Sequence, residues 1–182
     1  MVPPADPAAE LRKAQDRFIA AWGQMGSAWG ISRTQAEVHA LLYIAGEPLS
    51  AEEIMERLEI SRGNASMSVR ALLDWGIVGR THRRGDRREY YLAEADVWTM
   101  FRAILRERLK REVDPLLAQL YEIRDMTEPR QKVVARPEVA SHNRRLDEVL
   151  GVLSTIEKLS QSFVSPSGRG LRVAASVLSK VS

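Results

Sequence analysis

The sequence contains no cysteine among its 182 residues. Disulfide scaffolds, thiol catalysis and zinc sites with cysteine ligands are therefore excluded. Only three histidines are present, His39, His82 and His142, and none has a partner at a spacing that suits a metal ion. The sequence accordingly predicts neither a metal site nor a cofactor.

Long apolar runs are also missing. No stretch approaches the ~20 residues that a membrane helix needs, and the start of the chain lacks the pattern of a signal peptide. We therefore expect a cytoplasmic protein with no membrane partner. A nucleophile elbow, a glycine-rich phosphate loop and paired carboxylates in a recognisable context are absent too, so an enzyme is not predicted.

What the sequence does have is a concentration of arginine. The net charge is only +3, but the segment from Ser61 to Tyr90 contains seven arginines and only three acidic residues. The arginines are Arg62, Arg70, Arg80, Arg83, Arg84, Arg87 and Arg88. A basic segment of this kind indicates a surface that meets an anion, most commonly nucleic acid.

Residues 31–94 contain three signals for the start of a helix, each a serine followed three residues later by a polar partner. The pairs are Ser32 with Gln35, Ser50 with Glu53, and Ser61 with Asn64. The first two match a capping box, and glycines at Gly46 and Gly76 match helix ends. Three short capped helices in succession predict a helix-turn-helix domain.

The third of these helices, residues 61–75, has two contrasting faces. Its apolar residues Ala65, Val69, Leu72 and Leu73 are expected to point inward. The opposite face is small, polar and basic, which suits base edges in a major groove. We predict that its DNA contacts are Ser61, Arg62, Gly63, Asn64, Ser66, Met67 and Arg70.

Residues 77–92 predict a β-hairpin, with β-type residues on both sides of a Gly85-Asp86 turn of type II′. This register sets Arg84 opposite Arg87 and Arg83 opposite Arg88, and like charges that face each other cost about 0.2–1 kcal/mol per pair. An external anion would relieve that repulsion. A basic ribbon after a helix-turn-helix is a wing, so we predict that these four arginines contact phosphates or the minor groove.

Longer helices flank the winged helix. Residues 1–30 carry an apolar stripe of Leu11, Ala14, Phe18, Trp22 and Met25. Within residues 95–163, a stripe from Trp98 to Ile123 continues across Pro115 and predicts one kinked helix, and after a connector at 127–141 a further amphipathic helix is predicted at 146–156. Residues 164–182 are expected to form a flexible tail or a short helix. The predicted fold is mainly α with a small β-hairpin wing, and the flanking helices are expected to form a homodimer.

The stretch "EPLSAEEIMERLEISRGNASMSVRALLDWGIVGRTHRRGDRREYYLAE" resembles the MarR-like transcriptional regulators, and within them the GbsR group. The closest signatures are "SRGNASMSVRALLDWGIV", "GDRREYY" and "DVWTMFR". The resemblance implies a homodimeric DNA-binding regulator, often a repressor, that dimerises through its terminal helices. It also implies that Asp86, with Gly85 at the turn, positions Arg88 for the minor groove.

The GbsR group is linked to osmoprotectant metabolism, so the resemblance implies choline or glycine betaine as a small-molecule effector. A quaternary ammonium group would need an aromatic cage. The candidate walls are Trp22, Trp29, Tyr43, Tyr91, Trp98 and Phe101. Aromatic residues on helices more often pack in the core, so core packing is the preferred interpretation and a cage is the alternative.

Two other functions stay open at this point. A ligand-sensing or protein-interaction scaffold would keep its DNA affinity unchanged when the four wing arginines are removed. A non-specific nucleoid-type protein would bind all duplexes equally. The shaped face around Asn64 favours a sequence-specific regulator, whose DNA affinity should fall steeply with salt.

Overall fold

The computed structural model describes residues 6–127 and 136–164, in two compact units that divide between Met100 and Phe101. The described part contains these helices and strands in order: α1 (Pro7–Ala28), α2 (Arg33–Ala45), β1 (Leu49–Ser50), α3 (Ala51–Leu58), α4 (Arg62–Asp74), β2 (Val78–Thr81), β3 (Tyr90–Ala93), α5 (Val97–Arg108), α6 (Asp114–Met126) and α7 (Pro137–Val164). The predicted mainly α fold with a small sheet is confirmed. The flexible tail or short helix predicted after residue 163 lies, beyond residue 164, outside the described residues.

Helix α1 packs against α2 through glycines and through two residues of the predicted apolar stripe. The ring of Phe18 lies 6.4 Å from that of Tyr43, and the ring of Trp22 lies 6.0 Å from that of His39. The buried residues of α1 are Ile19, Gly23 and Gly26, whereas Leu11 in the stripe is exposed. A side-chain carbon added at Gly26 would lie 2.5 Å from the Cβ atom of Ala36. The two backbones therefore approach each other closely because these positions have no side chain.

The predicted helix caps are confirmed for α3 and α4 but not for α2. Ser50 and Glu53 form both hydrogen bonds of a capping box, and Ser61 Oγ accepts from the Asn64 amide. Ser32 does occupy the N-cap position, but its side chain makes no capping hydrogen bond. The capping box predicted there is wrong, and an Arg33–Glu37 ion pair at 2.8 Å lies in the first turn instead.

The core of the first unit lies between α2, α3, α4 and the sheet. Its most deeply buried side chains include Val38, Leu42, Ile54, Leu72, Ile77 and Tyr90. Residues from α4 and from both ends of the hairpin share this core. The recognition-type helix and the base of the hairpin are therefore fixed on one scaffold.

The hairpin strands pair in the predicted register, with Val78 opposite Ala93 and Thr81 opposite Tyr90. A short third strand, β1, joins the other side of β3 through Leu49 and Ser50, so the antiparallel order is β1-β3-β2. Sequence analysis missed β1 because its two residues directly precede α3 and Ser50 is also the N-cap of that helix. The sheet thus ties the hairpin directly to the beginning of that helix.

In the chain after the sheet, α5 and α6 are joined by a π-helical segment, Leu109–Val113. This arrangement confirms the prediction of one interrupted helix. Pro115 explains the interruption, because its ring has no N–H and clashes with the carbonyl group four residues earlier. In the second unit, α6 and α7 are linked by Arg124–Asp147 and by Tyr121–Ser154. None of the helices in the described ranges is long and apolar enough to cross a membrane.

Candidate nucleic-acid interface

Helix α4 presents the predicted polar face to the surface. Arg62, Ser66 and Arg70 are exposed at successive four-residue steps, while Ala65, Val69 and Leu72 are buried on the opposite side. Gly63 and Asn64 are also exposed, and 67% of Met67 is accessible. The structure therefore brings all seven residues predicted on this helix to its exposed side or its N-terminal end.

A groove runs beside this face, between α3, α4 and the sheet, with a volume of about 330 Å³. Arg62 and Arg70 line it from α4, and Arg80 lines it from β2. Sequence analysis did not include Arg80 in the site. Its place was predictable in principle, because β2 lies directly after α4 and Arg80 is on the exposed side of that strand.

The tip of the hairpin differs from the predicted two-residue turn. The amide of Asp86 donates to the carbonyl of Arg83 at 3.1 Å, so Arg84 and Gly85 are the central residues of the turn. Gly85 has φ +85°, a conformation that favours glycine. Strand pairing ends at Thr81 and Tyr90, and the predicted pairing of Arg84 with Arg87 and of Arg83 with Arg88 is wrong because the side chains of the tip form their own contacts.

Asp86 is the centre of those contacts. Its carboxylate accepts from the Arg88 backbone amide at 2.9 Å, from Arg88 Nε at 2.9 Å and from Arg88 Nη2 at 2.6 Å. The hydroxyl of Tyr90 donates to the same carboxylate at 2.7 Å and accepts from Arg88 Nη2 at 2.8 Å. Asp86, Arg88 and Tyr90 thus form a closed network that takes the place of strand pairing.

The electrostatics of this network favour a permanent ion pair. Hydrogen bonds from the Arg88 side chain and backbone, then from Tyr90, hold the pKa of Asp86 far below its ordinary value. The hydrogen bonds from Arg88 to Asp86 raise the pKa of Arg88. The separate hydrogen bond from Tyr90 to Asp86 raises the pKa of the Tyr90 hydroxyl. Neither Asp86 nor Arg88 changes its charge near neutral pH.

The four wing arginines fall into two classes. Arg88 is bound to Asp86, and Arg83 Nη2 donates to the carbonyl of Pro48 at 2.6 Å. Arg84 and Arg87 are exposed and form no hydrogen bond or ion pair with the described part of the chain. Their guanidinium groups can therefore bind an anion without breaking an internal hydrogen bond.

Within the first unit, the aromatic residues proposed as cage walls lie in more than one place. Trp22 and Tyr43 both neighbour the buried ring of His39, at centroid distances of 6.0 and 6.5 Å, and Phe18 lies 5.6 Å from Trp22. Tyr91 instead lines the groove beside α4, where its hydroxyl donates to Glu89. Trp29 caps α1, and the side chains of Trp98 and Phe101 on α5 are exposed. Ring spacings of this size are those of direct packing between neighbours.

Comparison with known proteins shows which family the helix-turn-helix and the hairpin resemble. Residues 29–89, which include α2, α3, α4 and β2 and end directly before β3, match the model of the MarR family. This part of the chain is similar to MarR-family proteins. The predicted resemblance to MarR-like regulators is thereby confirmed.

Two relatives of the chain come from Bacillus subtilis (strain 168). The chain is 28% identical over 105 residues to the HTH-type transcriptional repressor GbsR, and the aligned region covers 58% of each protein. It is 28% identical over 96 residues to the putative HTH-type transcriptional regulator YvaV, covering 53% of the chain and 54% of the relative. The chain thus spans little more than half the length of these relatives.

A solved structure, described as a transcriptional regulator, is similar in fold to a larger part of the chain. The similarity has a TM-score of 0.57 at 23% identity, and it covers 83% of this chain and 95% of the other. At this level of identity the comparison concerns the fold alone. It supports the winged helix-turn-helix architecture and extends beyond residues 29–89 into the flanking helices.

Proposed function

We propose that the chain is a sequence-specific, double-stranded DNA-binding regulator of transcription that acts as a repressor. In this proposal α4 enters the major groove, and the tip of the hairpin contacts phosphates or the minor groove. The observation that carries the proposal is the shared groove of Arg62, Arg70 and Arg80 beside the exposed face of α4, together with the unpaired Arg84 and Arg87 of the described wing. One scaffold thus presents a readout helix and phosphate contacts side by side.

The regulatory role itself rests on the relatives. The Bacillus subtilis protein GbsR is named a transcriptional repressor, and residues 29–89 of this chain match the model of the MarR family. Repression needs little beyond occupancy of a promoter, so specific DNA binding is the property to test. A scaffold that does not read bases, or a non-specific nucleoid-type protein, would lack that specificity.

The first test replaces two residues of the readout face. We expect the double variant Arg62→Ala, Asn64→Ala to lose specificity about tenfold or more, since one bidentate base contact contributes roughly 1–3 kcal/mol of discrimination. The measurement is the ratio of the dissociation constants for a selected operator and for a random duplex at about 150 mM salt. Arg17→Ala removes an exposed arginine from α1 and is the matched control. Equal ratios for the double variant, the control and the wild type would contradict base readout by α4.

We further propose that the chain forms a homodimer through its flanking helices. Helix α7 exposes Val149, Val152, Ile156 and Leu159, and their spacing of three, four and three residues is that of a coiled-coil seam. Such a stripe is costly to leave in water. A two-fold dimer would also place two copies of α4 on two half-sites of an operator.

The dimer proposal predicts the effect of charge on that stripe. We expect the double variant Val152→Glu, Leu159→Glu to sediment as a monomer, because two buried carboxylates per chain would face their symmetry copies. Analytical ultracentrifugation at micromolar concentration gives the mass directly. Lys158→Glu makes the same change in charge at an exposed position of this helix outside the stripe, and this variant should remain dimeric. A wild-type chain that is monomeric at this concentration would contradict the proposal.

The response to choline or glycine betaine stays a prediction of the family resemblance. The close packing of Trp22 with its ring neighbours supports a structural role for that cluster. Tyr91 lies in the groove beside α4, where its hydroxyl bonds to Glu89. The proposed function therefore does not depend on an effector.

A further inference from the structure

Arg83 lies at the tip of the hairpin in sequence, but its side chain turns back toward the start of α3. Its Nη2 atom donates to the carbonyl of Pro48, a residue 35 positions earlier, and its Nη1 atom lies 3.8 Å from Glu53 Oε1. The guanidinium carbon is 4.3 Å from the centre of the Tyr90 ring. One side chain thus contacts the residue before β1, the first turn of α3 and the base of the wing.

The far end of this connection is firmly held. Ser50 is fully buried, its amide donates to Glu53 Oε2 at 2.6 Å, and the Glu53 amide donates back to Ser50 Oγ. The hydrogen bond from the Ser50 backbone, with smaller contributions that include the charges of Arg83 and Arg88, lowers the pKa of Glu53. Arg83 therefore meets a carboxylate that stays ionised and is fixed by the capping box.

Tyr90 connects Arg83 to the rest of the wing. Its side chain is 1% exposed, and its ring lies below the guanidinium groups of both Arg83 and Arg88, at 4.3 and 5.4 Å. Its hydroxyl donates to Asp86. An unbroken series of contacts therefore runs from the N-terminus of α3 through Arg83 and Tyr90 to the turn of the wing.

We propose that Arg83 is a positioning residue that fixes the wing relative to the helix-turn-helix, and that Arg84 and Arg87 supply the phosphate contacts of the turn. The inference rests on the proposed DNA-binding function for its effect on affinity. The donors of Arg83 are already directed at Pro48 and Glu53, whereas its neighbour Arg84 has no such partner within the described residues. A phosphate could engage Arg83 only by displacing contacts that hold the wing in place.

The test compares Arg83→Ala with Arg84→Ala, which remove the same charge from adjacent positions. The dissociation constant for one operator duplex is measured between 50 and 200 mM salt. We expect Arg84→Ala to lower the slope of log K against log salt by about 0.9 for each phosphate that the protein no longer neutralises. Arg83→Ala should weaken binding about three- to tenfold with an unchanged slope, because the same number of phosphates is neutralised in the complex.

A second measurement needs no DNA. Amide hydrogen exchange of the free protein should accelerate in residues 82–90 of Arg83→Ala but not of Arg84→Ala, with the exchange of α2 and α4 unchanged in both. Arg83→Lys keeps the charge but lacks the planar fork that spans Pro48 and Glu53. The wing amides of Arg83→Lys should therefore exchange as fast as those of Arg83→Ala, and its DNA affinity should be equally weak. If Arg83 instead contacted a phosphate, the lysine would retain that contact and the affinity.

The proposal is overturned if Arg83→Ala lowers the salt slope as Arg84→Ala does, or if wing exchange in Arg83→Ala equals that of the wild type. Binding by Arg83→Lys at wild-type affinity with alanine-like exchange would also overturn it. If the wild-type chain binds no duplex, the proposed function fails. The exchange comparison then still decides whether Arg83 holds the wing.

Discussion

Replacement of Asp86 with alanine is expected to weaken operator binding by roughly tenfold, the scale of one well-formed arginine contact, although it makes the wing more positive. Simple charge counting predicts the reverse, because removal of an acidic residue should strengthen attraction to phosphates. The expected loss of affinity follows from the role of Asp86 in the wing. Four of its hydrogen bonds hold Arg88 and Tyr90 in place.

Without the Asp86 carboxylate, the Arg88 guanidinium loses the oxygen that accepts from both its Nε and its Nη2 atoms, and it gains rotational freedom. In the variant, an arginine that enters a minor groove loses side-chain entropy on binding. In the wild type, this arginine is already ordered before DNA binds. The Tyr90 hydroxyl also loses its acceptor, so the series of contacts that runs to α3 is interrupted. The variant should consequently bind DNA with an unchanged overall fold but with a mobile wing.

Glu89→Ala is the matched control for this experiment. It removes the same charge from the same wing, but Glu89 contacts Tyr91 and Arg80 and makes no hydrogen bond to Arg88 in the described wing. We expect Glu89→Ala to bind DNA at least as tightly as the wild type, and Asp86→Ala to bind more weakly, in fluorescence anisotropy at one salt concentration. Tighter binding by both variants would mean that the wing contributes only bulk charge.

The second large effect concerns stability at acid pH. His39 on α2 is 2% exposed between the rings of Trp22 and Tyr43, and its Nε2 atom has no hydrogen-bond partner among the described residues. Burial lowers the pKa of His39 from 6.5 to about 4. Between these values the unfolded chain binds a proton that the folded chain does not. Stability should thus be constant above about pH 6.5 and fall by about 3 kcal/mol in total as the pH decreases to about 4.

His39→Leu removes this titration and keeps a buried apolar side chain of similar size. Denaturant unfolding of wild type and variant at several pH values between 7.5 and 4 gives the free energy of unfolding for each. Between pH 7.5 and pH 5, the free energy of unfolding of the variant should fall by about 1–2 kcal/mol less than that of the wild type. Parallel pH profiles for the two proteins would contradict a histidine buried in its neutral form.

Features governed by a few neighbouring residues were predictable from the sequence. A capping box needs only a serine and a glutamate three residues apart, as at Ser50 and Glu53, and this one forms as predicted. The hairpin register also followed from placing a two-residue loop at Gly85-Asp86 between two runs of β-type residues, and the strands pair in that register. The seven predicted residues of α4 reach the exposed side or the N-terminal end because the periodicity of one helix decides which face is buried.

Features that depend on distant contacts could not be predicted in the same way. The contact of Arg83 with Pro48 spans 35 residues, and the burial of Tyr90 beneath two arginines depends on β1, a strand too short to have a pattern. Gly23 and Gly26 have no side chain that a hydrophobic stripe could include, yet they set the distance between α1 and α2. The shape of the turn was also mispredicted, since its central residues are Arg84 and Gly85 and not Gly85 and Asp86.

The most direct test of sequence-specific regulation is selection of genomic fragments by the purified wild-type chain at about 150 mM salt. The bound fragments should share an inverted repeat whose half-site centres lie about one helical turn apart, roughly 10 base pairs, or a multiple of that distance. They should also bind at least about 1,000-fold more tightly than random duplex, at the lower end of the usual range of specificity, about 10³–10⁷. Fragments with no common motif and the affinity of random duplex would contradict the central claim.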